Sequence, residues 1–154
     1  MFKLIKIDNS RINVPEPEYF EIAPRNNVNA GQALFLDNGL LAHVTSSSPV
    51  EFISMADGTE GKTIPVCRVS SNQIWETRID GNERIWENAK PGSTVSVNAD
   101  GVEISNVNAD FSHCVIVCRG EADTHQNGYE VGGPVRVRFL CNFGRDASSG
   151  KTEF

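Results

Sequence analysis

The chain has 154 residues, room for one domain or for two intimate subdomains of about 60 residues each, and a length that can bury a usable core. Fourteen basic residues against 20 acidic ones give a formal charge of −6, and no run of Lys or Arg interrupts that balance along the sequence, so a nucleic-acid partner is not expected: phosphate binding rests on concentrated positive charge. The apolar opening from Met1 to Ile7 is too short for the apolar region of a signal peptide and no membrane-length run occurs, so neither export nor a membrane partner is expected.

Residues 1–29 differ from the rest of the chain. Phe2 to Ile7 has the pattern of one short strand, but Pro15, Pro17 and Pro24 then interrupt, each removing a backbone donor and pushing its predecessor towards extended conformations. The segment reads as an extended N-terminal arm; an edge strand folded back on its own domain is the equal alternative. From Asn29 to Ile79 the apolar residues alternate or fill both faces, as in strands buried in a barrel or sandwich. Ala33 to Leu36 predicts a strand ending at Asp37-Asn38-Gly39, a hairpin signal in which Gly39 takes the positive φ of the turn. Val50 to Met55 predicts a central strand. Residues 82–89 predict a short helix that Pro91 ends. Thr94 to Val97, the turn Asn98-Ala99-Asp100-Gly101 and Val102 to Ile104 predict a second hairpin with Gly101 at its tip, and His113 to Cys118 a second central strand. Beyond Phe143 too few apolar residues remain to bury, so 144–154 is expected to be a flexible tail.

The glycines carry a longer period. Gly31, Gly39 and Gly58 are answered by Gly92, Gly101 and Gly120, at offsets of 61, 62 and 62, and Pro65 by Pro134. The fold class expected is therefore mainly β: two similar small units of β-barrel or β-tulip type from an internal repeat. The first, with its connector, runs over 30–89 and the second over 90–143, and they pack through the stretch from Ile74 to Trp86.

No stretch specifies catalysis. Gly61-Lys62-Thr63 and Gly150-Lys151-Thr152 have the look of phosphate loops, but Ala56 stands where the first would need its leading glycine. Pro65 opposes the helix that must come after it, and the second triplet leaves no length for one. Cys67, Cys114, Cys118 and Cys141 lie among Val, Ile, Leu and Phe and read as small buried apolar residues. On one strand Cys114 and Cys118 would stand about 13 Å apart, too far to share a zinc or a disulfide. His43, His113 and His125 have no catalytic signature around them. Trp75 and Trp86, both in Ile-Trp-Glu, read as packing anchors, with an exposed sugar-binding face as the alternative.

Ala30-Gly31-x-x-Leu34-x-Leu36-Asp37, the later Ile53-Ser54-Met55-Ala56 and the strands from Val66 to Ile79 resemble, in pattern and order, the lambdoid head-decoration proteins and related capsid cement proteins of tailed bacteriophages. The likeness is best over 18–80; the stretch from Lys90 to Leu140 looks like the C-terminal half of longer cement-type relatives. The resemblance implies a non-enzymatic virion protein, made in the host cytoplasm and placed on the outer capsid surface. There it would stabilise the head as a homotrimer by bridging subunits of the major capsid protein, with no cofactor, metal or catalytic residue. It also implies a capsid-binding arm, mobile in the free protein, with Phe2, Leu4, Ile5, Ile7, Tyr19 and Phe20 as anchors. The alternative function is a carbohydrate- or host-surface-binding β module that uses Trp75 and Trp86.

Overall fold

The computed structural model describes residues 1–8, 15–79, 85–107, 112–122, 124–126 and 129–140; the expected tail at 144–154 and Cys141 lie outside them. The mainly β expectation holds. Strands β2 (Glu18–Glu21), β3 (Ala33–Asp37), β4 (Leu40–His43), β5 (Phe52–Ser54) and β6 (Thr63–Arg68) form a sheet in the order β2-β6-β5-β3-β4. Its two ends meet at a parallel bridge between Ile22 and Leu41, where the Ala23 amide donates to the Leu41 carbonyl at 2.8 Å, so the sheet is a closed barrel. Inside lie Ile22, Val28, Leu34, Leu41, Phe52, Ile64 and Val66. Alternation along each strand sends Ala33, Ile53 and Cys67 to the outside, yet these too are buried. Both faces are covered, which is why the sequence here is so continuously apolar.

The cover is a second sheet. Strands β1 (Lys3–Ile7), β7 (Gln73–Ile79), β13 (Gly133–Phe139), β10 (Cys114–Arg119), β8 (Thr94–Val97) and β9 (Ile104–Val107) run in the order β1-β7-β13-β10-β8-β9. It curls until β9 returns to β7 in parallel at Ile79 and Ile104. A one-turn helix α1 (Ile85–Asn88) and a hairpin of β11 (Thr124–Gln126) and β12 (Tyr129–Val131) complete the described elements. One continuous core joins Ala33, Ile53, Cys67 and Val69 of the barrel's outer side to Phe2, Trp75, Ile116, Val137 and Phe139 of the second sheet. Each large apolar side chain buried there contributes about 1.5 to 3 kcal/mol.

The second sheet takes β7, which the sequence places in the connector of the first unit. The reason is local: Gln73 to Ile79 buries every second residue, Gln73, Trp75, Thr77 and Ile79, and the polar Ser70-Ser71-Asn72 ahead of it supplies the break. Trp75, Ile79 and Trp86 of the stretch from Ile74 to Trp86 lie in the core the two sheets share. Apart from that shared core the seam is polar: the Ala33 amide donates to the Gly101 carbonyl at 2.8 Å, and Gln32 Nε2 to the Asp100 carbonyl at 2.7 Å.

Both predicted turn glycines have positive φ. Asn38 (φ 53°) and Gly39 (φ 82°) form a two-residue turn that matches the twist of β3 and β4. Gly101 (φ 73°) ends a wider turn, in which Asn98 Oδ1 accepts from the amides of Val102 and Glu103, and the turn rests on the barrel. A Cβ at Gly39 would meet nothing within 4 Å, whereas at Gly101 it would stand 3.0 Å from the Ala33 carbonyl oxygen and 3.2 Å from Gln32 Cγ. Gly39→Val is therefore expected to cost the backbone strain alone, roughly 1 to 3 kcal/mol, and Gly101→Val clearly more. Thermal melts of the two variants check this; equal losses would show that the tip's seat on the barrel contributes nothing.

Candidate functional site

The residues expected to anchor a capsid-binding arm are distributed by the fold over two different surroundings. Phe2 is 5% exposed, its ring centroid 5.3 Å from that of Phe139, and its amide donates to the Gly31 carbonyl at 2.8 Å. Lys3, Leu4, Lys6 and Ile7 pair with Glu76, Trp75, Ile74 and Gln73 of β7, with a register shift at Ile5; Leu4 packs on the core, and Ile5 and Ile7 are half-buried. These residues are seated on the chain's own second sheet. Pairing with β7 and a buried ring compensate the entropy that a free arm would retain. Phe20 likewise lies over Phe52, with centroids 5.1 Å apart. Of the six, Tyr19 alone is largely exposed, at 62%.

Tyr19 has company that the sequence does not single out. It stands across from Pro65 on β6, and the Pro65 carbonyl accepts from the Met55 amide at 3.0 Å. Met55 rims a cleft of about 230 Å³ whose walls include Phe2, Leu4, Pro15, Ile53 and Trp75. Met1 packs against Gly31, whose amide donates to the Ser54 carbonyl of the same cleft. Met1, Tyr19 and Met55 are the large apolar side chains that the described residues leave exposed; Met55 lines this cleft, Met1 stands beside Gly31, and Tyr19 stands across from Pro65, whose carbonyl accepts from the Met55 amide. An apolar rim over a shallow cleft suits contact with another protein. The local signal was faint: methionine is a gap-filler that periodicity does not distinguish from core.

The groups weighed for chemistry are placed in structural roles. His113 is 1% exposed; its Nδ1 accepts from the Val97 amide at 2.9 Å, and its Nε2 donates towards the carbonyls of Ser48 at 2.9 Å and Thr45 at 3.2 Å. Those bonds fix one neutral tautomer. Burial lowers its pKa from the ordinary 6.5, with the two carbonyl bonds opposing. It ties the loop after β4 to the second sheet. Trp75 and Trp86 are 3% and 2% exposed. Trp75 Nε1 donates to Gln73 Oε1, and the Trp86 ring lies 4.2 Å beneath the Arg119 guanidinium, which donates to the Trp86 and Ala89 carbonyls. Neither ring offers a sugar a free face.

Cys67 and Cys114 are buried free thiols, and burial raises both pKa values, that of Cys67 to about 11 with help from the Glu18 charge. Cys118 departs from the expectation that the cysteines are buried: it is exposed. A register shift between Ile116 and Cys118 turns it to the opposite face from Cys114. No group of three or more metal-binding side chains occurs among the described residues. Iodoacetamide is expected to label Cys118 in the native protein, and Cys67 and Cys114 only after unfolding; native labelling of Cys114, read by peptide mass, would contradict this packing.

No family model matches the sequence, and no curated protein matches it. The structure is similar to the crystal structure of the N base of head fiber gp8.5 of bacteriophage phi29, with a TM-score of 0.51 and 14% sequence identity, over 80% of this chain and 94% of that one. At that identity the likeness is one of fold. It is with a phage head protein of the fibre kind, not of the lambdoid head-decoration kind that the sequence resembles.

Proposed function

We propose that this chain is a non-enzymatic structural protein of a tailed-phage head, bound to the outer surface of the assembled capsid through contacts with the major capsid protein. The observation that carries the reading is the shared fold, which spans 94% of a head fibre base. The sequence resemblance to decoration proteins points to the same class of particle. The apolar rim of Met1, Tyr19 and Met55 is the contact we assign to the shell, in place of a free arm. Assembly as a homotrimer and stabilisation of the head by bridging capsid subunits belong to the same proposal. Binding a repetitive lattice asks for shape and apolar patches of this kind and for no catalytic group. Co-sedimentation with purified expanded shells is expected to reach a saturable stoichiometry, reduced by Tyr19→Ala together with Met55→Ala. Absence of binding to shells alongside specific hits on a glycan array would favour the carbohydrate-binding alternative.

We also propose that the barrel and the second sheet are copies of one unit. Numbered from β2 and from β7, both place their five main strands in the order first, fifth, fourth, second, third. The amide-to-carbonyl bonds Gly31 to Ser54, Ser54 to Gln32, Glu51 to Leu34 and Val69 to Glu51 are matched by Gly92 to Ile116, Ile116 to Ser93, His113 to Val95 and Leu140 to His113. An experimental structure in which 31–69 and 92–140 superpose no better than unrelated barrels would remove this support.

A further inference from the structure

Although the sequence shows no basic cluster, the second sheet builds one. Along β13, Pro-Val-Arg-Val-Arg-Phe sends the valines inward and Arg136 and Arg138 outward. Lys3, Glu76, Arg136 and Cys118 stand in one cross-strand row. Arg78 lies on the same face of β7 as Glu76, two residues on, and is exposed. The register shift in β1 brings Lys6 opposite Ile74, and so to the side of Lys3. Without that shift, alternation would put the two lysines on opposite faces. Among the described residues five cations thus share one open four-stranded face with two carboxylates, Glu76 and Asp8, a balance of 5 − 2 = +3. The whole chain carries −6, so the remainder carries −6 − 3 = −9. The two carboxylates do not neutralise the face. Arg136 Nε is 3.1 Å from Glu76 and Arg138 Nη1 2.9 Å from Asp8, with Lys6 at 3.8 Å from the same Asp8, and the side chains of Lys6 and Arg136 stay 64% and 45% exposed. A recess of about 270 Å³ between Glu76, Arg119, Pro134 and Arg136 opens on it.

We infer that this face of β1, β7, β13 and β10 is a docking surface for an acidic protein surface. On the reading that the chain binds a phage shell, which this rests on, it is the face that meets carboxylates of a capsid subunit. Charge complementarity of this kind sets orientation and register and speeds encounter. A protein partner fits better than a nucleic acid because the row alternates in sign, Lys3, Glu76, Arg136, and is bordered by Ile74, Val115 and Pro134. A phosphate backbone is uniformly negative and would meet Glu76 and Asp8 unfavourably. The apolar rim lies beyond β1 on the other side of that strand, so the two surfaces can engage neighbouring subunits at once.

The test is binding of the full chain to purified shells at about 0.05 and 0.3 M NaCl, with poly-L-glutamate and duplex DNA as separate probes. The wild type is expected to bind shells and poly-L-glutamate, and to weaken markedly with salt as screening shortens to within a side chain's length. Arg136→Glu with Arg138→Glu should lower shell affinity on the order of tenfold or more, and flatten the salt dependence. Lys3→Glu with Lys6→Glu, on side chains outside the core, reads the same face if the arginine variant melts early. Shell binding that neither pair alters would overturn the inference and leave the shell-binding reading standing. Binding to poly-L-glutamate that these pairs abolish, without any binding to shells, would overturn that reading and keep the acidic-surface inference. Preferential binding to DNA would overturn the inference.

Discussion

Phe2→Ala is expected to destabilise the protein by about 3 to 5 kcal/mol, the range for truncating a buried phenylalanine, and to lower the melting temperature by roughly 10 °C for a chain of this size. The ring packs on Phe139, which packs edge-on to Trp75 with centroids 6.2 Å apart, so the loss would open a void at the centre of the shared core. Deleting residues 1–7 should cost at least as much, because it also strips β7 of an antiparallel partner. A mobile arm behaves otherwise: its removal leaves the melt unchanged and lowers capsid affinity alone. Differential scanning calorimetry of both variants separates the two, and an unchanged melting temperature for Phe2→Ala would contradict the placement of β1.

His113→Ala should cost about 2 to 4 kcal/mol at neutral pH, since it leaves the Val97 amide without its acceptor and opens space in the seam. Its pH signature is more specific. The folded state holds the imidazole neutral, with a pKa lowered chiefly by burial, while in the unfolded chain the group titrates near 6.5. Above that pH both states are neutral and the histidine adds no pH dependence. As pH falls below 6.5 the unfolded state takes up a proton that the folded state refuses, so stability declines with acid, by up to about 1.4 kcal/mol per pH unit from this group, until the folded pKa is reached. Urea titrations between pH 7 and 4.5 should show that decline, and the variant should lose the part due to His113. The same slope in the variant would assign the acid sensitivity to other groups.

What the sequence made legible was local. Asn38-Gly39 specifies its turn through two positive φ angles, and Val50 to Met55 and His113 to Cys118 are apolar enough to be central strands wherever they pair. Closure was not legible, because it depends on single contacts such as Ile22 with Leu41 and Ile79 with Ile104, which no pattern in either strand announces. The prolines after Ile7 suggested an arm, yet Pro15 shares a cleft with Phe2 and Leu4, and whether β1 is free is decided by the place beside β7 and the pocket for Phe2. Bulges hid two further features. One turns Cys118 outward, and one aligns Lys3 with Lys6, and in both cases strict period-two counting gives the wrong face. The basic face was invisible for a related reason: its charges come from strands far apart in the chain and meet only in the sheet.

The central claim, that this double β structure sits on the outside of a phage head, is tested most directly by a cryo-EM reconstruction of expanded shells incubated with the full chain. The expected result is density matching the barrel and second sheet on the outer surface, touching capsid subunits through the rim of Met1, Tyr19 and Met55 and through the face that carries Arg136 and Arg138. Shells that remain bare at saturating protein, or density confined to the interior, would contradict it.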